Sequence, residues 1–170
     1  MLRALAMLAV SAAVYAAAMA WAAARLPEDG VALHVNTHGV VNSYGSRADA
    51  LALFATLGLV LVGLAVVSIA SVRWLPARMI NVPNREYWAD PSRLPGFRRM
   101  LSWDLAVLFS VPLLAFSYLP VDITLTTLDP VGHGQLWLLL AIGLMVLGMV
   151  SYVVWMVVRR DRPDDTGAGR

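Results

Sequence analysis

The chain has 170 residues, 59% of them hydrophobic, and a mean hydropathy of +0.69, too apolar for an ordinary soluble domain. Thirteen basic residues, all arginine, stand against eleven acidic ones for a net charge of +2, and there is no cysteine. Disulfides and thiolate metal sites are therefore excluded, and the few basic residues give no case for a nucleic-acid partner.

Four stretches reach the roughly 20 apolar residues that a helix needs to cross a hydrocarbon core: 4–24, 50–72, 101–119 and 135–158. The first, second and fourth carry no charge, and the third carries only Asp104, near its start. Lipid cannot satisfy open backbone groups, so each stretch must be helical. The expected architecture is an all-α membrane protein, one four-helix transmembrane domain over 1–158, with residues 159–170 as a disordered cytoplasmic tail. The alanines of the first span and Gly143 and Gly148 of the fourth let backbones approach closely. Pro112 removes one ladder bond from the third span and is expected to kink it. In a competing reading the first span is a signal peptide cut after Ala18-Met19-Ala20.

Charge alternates between the connections. Residues 73–99 hold six arginines against Glu86 and Asp90, the tail from Arg159 holds four more, and Arg3 precedes the first span. The other connections hold Arg25 and Arg47 against Glu28, Asp29 and Asp49, and then only Asp122 and Asp129. The positive-inside rule then puts both termini and the arginine-rich loop in the cytoplasm. The segment after the first span and the short connection 122–134 face outward.

The outer segment carries the most informative residues. Leu26-Pro27 ends the first helix. Val31, Leu33 and Val35 alternate with Ala32, His34 and Asn36, the period of a short extended stretch with one apolar face. Asn42-Ser43-Tyr44-Gly45 reads as a turn, and Ser46 or Asp49 is placed to cap the second span. All three histidines, His34, His38 and His133, fall on the outer side, where imidazoles are candidate zinc or copper ligands. The alternation and Gly39 argue against the helical geometry that would align His34 with His38. No His-Glu-x-x-His string is present, and neither catalytic residues nor a resident metal are expected.

Leu26-Pro27, His34-Val35-Asn36, Gly39 and Asn42-Ser43-Tyr44-Gly45-Ser46-Arg47 resemble the pattern of the bacterial membrane domain DUF1648 over about residues 5–70. That pattern runs Leu-Pro, His-Phe-Asn, Gly, Asp, Tyr-Gly, Ser-Lys. This chain has Val35 for Phe, Asn42 for Asp and Arg47 for Lys, and Asn42 takes away the carboxylate of any His–Asp pair. The cytoplasmic string from Asn81 and Pro83 to Tyr87 and Trp88 is similar to one that follows the domain in four-span relatives. The resemblance implies the SdpI-like toxin-immunity proteins, with a secreted peptide toxin outside and a cytoplasmic regulator inside as partners besides the bilayer. It marks Pro27, His34, Asn36, Gly39, Asn42, Tyr44, Gly45 and Arg47 as ligand- or partner-recognition residues.

Residues 73–99 interleave arginine with Trp74, Tyr87, Trp88 and Phe97, a composition for anionic headgroups or a partner. Pro76, Pro83, Pro91 and Pro95 prevent one long helix there. Tyr87 and Trp88 are expected to anchor at the headgroups. Asp104 lies near the cytoplasmic end of its span, where it is expected to cap the helix or pair with Arg98 or Arg99. Together these features describe a multi-pass protein of the bacterial cytoplasmic membrane, more a binding or sensing protein than an enzyme. The alternatives are a metal-binding membrane enzyme using the outer histidines and a structural subunit of a membrane complex.

Overall fold

The computed structural model describes residues 2–36, 40–129 and 136–161. The protein is mostly helical. Helix α1 (Leu2–Ala23) leads into a hairpin of strands β1 (Val31–Val35) and β2 (Val41–Gly45), followed by α2 (Arg47–Ser71). Two 3-10 turns, Val72–Trp74 and Ala77–Met79, and a short α3 (Arg85–Ala89) lead to α4 (Leu94–Phe116), α5 (Tyr118–Leu128) and α6 (Leu136–Asp161). Four helical stretches are long and apolar enough to cross a membrane: Leu2–Ala23, Arg47–Trp74, Leu94–Leu128 and Leu139–Arg160.

Their outward faces explain the composition. α2 turns Leu59, Leu64 and Val67 outward, and α6 does the same with Leu144, Leu147 and Val150. Helices apolar on every side are the sort that lipid surrounds. α1 is the hub of the bundle and packs on α4, α2 and α5, while α6 joins through α4 and α5.

In the core, Ala4, Leu8 and Tyr15 of α1 meet Ala65 and Ile69 of α2 and Ala106 and Leu113 of α4. Three of these are alanines, which let helix backbones come close where apolar burial alone gives little drive. The crossing of α1 on α2 is fixed at one point. Tyr15 donates its buried hydroxyl to the Phe54 carbonyl at 2.7 Å. Its ring lies over Gly58, where a Cβ would come within 2.6 Å of Cε1. A second cluster, Ala22, Leu26, Val31, Ala50, Phe54 and Ile123, closes the bundle beneath the hairpin.

Three local readings change. Asn42–Gly45 is a strand, not a turn: it pairs antiparallel with β1, Val31 opposite Gly45 and Ala32 opposite Tyr44. The chain reverses instead beyond Asn36, whose N–H and side-chain oxygen both bond to Val40. The third span does not stop near Leu119. Ser117 shares its N–H between the Leu113 and Leu114 carbonyls but keeps right-handed helical dihedrals, so the chain re-enters helix as α5. Pro120 falls in that helix's first turn, where a missing N–H breaks no ladder bond. Asp122, expected in an open connection, is therefore buried. Finally, α6 continues through Arg159 and Arg160 to Asp161, past the start expected for the tail.

Candidate functional site

The hairpin is built onto the bundle rather than strung between helices. Val31 is fully buried and Leu33 packs beside it over Phe54 and Ile123. The Ala32 N–H donates to Thr127 Oγ1 at 3.0 Å, and that hydroxyl donates to the Ile123 carbonyl at 2.7 Å. This fastens β1 to α5. At the other strand the Arg47 N–H donates to the Glu28 carbonyl at 2.9 Å. The Arg47 side chain reaches the Leu26 carbonyl at 3.3 Å and the Glu28 carboxylate at 3.6 Å. Ser46 and Asp49 then form a reciprocal capping box that starts α2. The bonds from the Ala32, Ser46, Arg47 and Asp49 N–H groups hold backbone donors that the strand and helix ends would otherwise leave open.

What the hairpin presents outward is largely its resemblance motif. His34 is exposed, and its Nδ1 lies 2.5 Å from Asn42 Oδ1 across the strands. An amide oxygen accepts, so His34 Nδ1–H is the donor of this pair. Tyr44 is 63% exposed and Val40 58%, an aromatic and an aliphatic side chain on a small, fastened platform. Pro27 lies exposed at the base. Gly45 lies against Leu33, whose Cδ1 would have to shift to admit a Cβ there. His38, Gly39 and His133 lie outside the described residues. Among the described residues no group of three histidine, aspartate or glutamate side chains is gathered to hold a metal.

The second motif sits at the opposite end of the bundle. Asn84, at a left-handed φ of 55°, precedes α3. Asn81 is exposed and Pro83 half-buried in the turn before it. Tyr87 stacks edge-on against Trp88 at 4.9 Å, and Trp88 tilts against Phe97 at 5.8 Å. Trp88 is thus not a free headgroup anchor: it is half-buried, and its indole N–H points at the Arg160 carbonyl at 3.4 Å. Arg93 lies over Tyr87 and Arg73 over Trp74, both at 3.7 Å, the stacking that a weakly hydrated guanidinium favours. Asp90 accepts from the Ser92 hydroxyl and the Ser92 N–H, and these bonds, with nearby Arg93, hold its carboxyl below the usual aspartate range.

Asp104 pairs with neither Arg98 nor Arg99. It faces α6, where Arg160 Nη2 approaches Oδ2 at 2.5 Å and the Tyr152 hydroxyl donates to Oδ1 at 2.8 Å. Arg98 turns the other way, to the Leu75 carbonyl at 2.8 Å. The signal for the true partner lay in α6: Tyr152 and Arg160 are about two helical turns apart and share a face.

Chemically, the described residues gather no nucleophile with a base and no phosphate loop. They gather two kinds of surface: a fastened hairpin with an exposed His–Asn pair and tyrosine, and an arginine–aromatic clasp tied to an ion pair. Compared with protein-family models, with curated proteins and with solved structures, the chain matches none of them.

Proposed function

We propose that the protein is a non-enzymatic receptor of the bacterial cytoplasmic membrane, of the SdpI-like immunity type. The hairpin meets a secreted peptide outside, and the arginine–aromatic end meets a regulator inside. The orientation follows from arginine placement, since the end built from residues 73–99 and the close of α6 carries most of the positive charge.

One observation supports the reading above the others. Most of the motif that carries the DUF1648 resemblance lies on a hairpin fastened to α5 through Ala32–Thr127 and to the α1–α2 junction through Arg47. It nonetheless leaves Tyr44, Val40 and His34 open to the surroundings. A preorganised platform binds without the ordering cost of a loose loop. Cells lacking the gene, challenged with peptide toxins encoded near it, are expected to become sensitive, with protection restored by the intact chain but not by Tyr44→Ala made in the same fold. Unchanged sensitivity to every such toxin would remove the immunity reading.

A further inference from the structure

Two clefts flank the first turns of α4 at the arginine end. One is lined by Val72, Arg73, Pro95, Arg98, Arg99 and Ser102. The other includes Arg3, Gly96, Arg99, Met100, Trp103 and Arg159. Five arginines from α1, α4, α6 and the turn after α2 thus surround one helix start, and Arg99 lines both clefts. Among the described residues no acidic side chain lines either cleft.

The donors are prepared for an anion. Arg98 holds the Leu75 carbonyl with Nη2, and its buried Nε has no acceptor among the described residues, a donor that an anion's oxygen would satisfy. Ser102 donates to the Arg98 carbonyl at 2.9 Å and steadies that turn. Arg73 is stacked on Trp74, so its plane is set before a ligand arrives. The surroundings distinguish a lipid from a free anion. Val72, Pro95, Leu2, Met100 and Trp103 form apolar walls. Basic pockets between helices at a membrane surface are the geometry that holds anionic headgroups.

We propose that these clefts hold the phosphodiester of an anionic glycerophospholipid, its acyl chains lying along the outer faces of the bundle. The proposal rests on the helices spanning a membrane and not on the toxin reading.

The test is native mass spectrometry of the full chain released from bilayers of mixed phosphatidylglycerol and phosphatidylcholine. Phosphatidylglycerol is expected to be retained in preference, and Arg73→Gln with Arg99→Gln to reduce retention by about tenfold. A charge-matched control, Arg78→Gln with Arg85→Gln, removes two arginines of the same end that line neither cleft and is expected to leave retention unchanged. Arg99 is exposed, so single Arg99→Gln serves if the double variant does not fold. Equal retention of the two lipids, an equal loss in the control, or full displacement by inorganic phosphate would each overturn the proposal.

Discussion

The Asp104 carboxylate and the Arg160 guanidinium lie 2.5 Å apart, with only 2% and 4% of the two residues exposed. The pair joins the middle of α4 to the end of α6. Tyr152 completes the carboxylate's partners, and the Arg160 carbonyl receives the Trp88 indole from α3. Much of α6 otherwise faces outward, and Arg160 is its one buried residue among those described.

Arg160→Leu is therefore expected to destabilise by about 3–5 kcal/mol, because it strands a buried carboxylate. Replacing both partners, Asp104→Leu with Arg160→Met, is expected to cost much less than either single change. Thermal unfolding in detergent reads the difference. Additive single and double costs would show that the pair is not coupled.

The Tyr15–Gly58 crossing predicts a positional contrast within α2. Gly58→Ala drives a Cβ into the Tyr15 ring and is expected to cost about 1–3 kcal/mol. Gly63→Ala, where a Cβ would meet no packed neighbour within 4 Å, is expected to be neutral or slightly stabilising. Equal effects in unfolding experiments would contradict the close approach.

Much of the fold is legible in the sequence, because a bilayer imposes helix on any long apolar run and every such run here became one. What was not legible depends on partners distant in sequence. Asn42–Gly45 has the composition of a turn, and only pairing with Val31–Val35 makes it a strand. Asp122 reads as a loop acid until Pro120 is seen to start a helix rather than stop one. For Asp104, nearby Arg98 and Arg99 were the obvious partners, yet the helix face it occupies points to α6. The extended character of the hairpin was legible from alternation, but its attachment to Thr127 was not, since nothing local links residues 95 positions apart.

Asn84 holds a left-handed backbone ahead of α3. Asn84→Gly is expected to be tolerated, since glycine adopts that region freely. Asn84→Val is expected to cost about 1–3 kcal/mol and to loosen Trp88 from Phe97, read as a red shift of tryptophan emission. Equal stability of the two variants would argue against the strained turn.

Asp90 supplies a pH dependence. Its folded carboxyl titrates below the ordinary range because Ser92 donates to the ionised form twice. Its stabilisation is complete above the unfolded carboxyl's pKa and fades as pH falls through the depressed folded value. Ser92→Ala is expected to raise the Asp90 midpoint toward that of an unstructured peptide, as followed by carboxyl NMR titration. An unmoved midpoint would show that Ser92 is not the cause.

In the proposed orientation the hairpin end faces outward and the arginine end faces the cytoplasm. The chain's lack of cysteine makes the test clean. Tyr44→Cys and Arg85→Cys, both at exposed positions, are each treated in intact cells with a membrane-impermeant maleimide. Labelling of Tyr44→Cys without permeabilisation, and of Arg85→Cys only after it, is the predicted result. The reverse pattern would contradict the orientation and, with it, the proposed receptor.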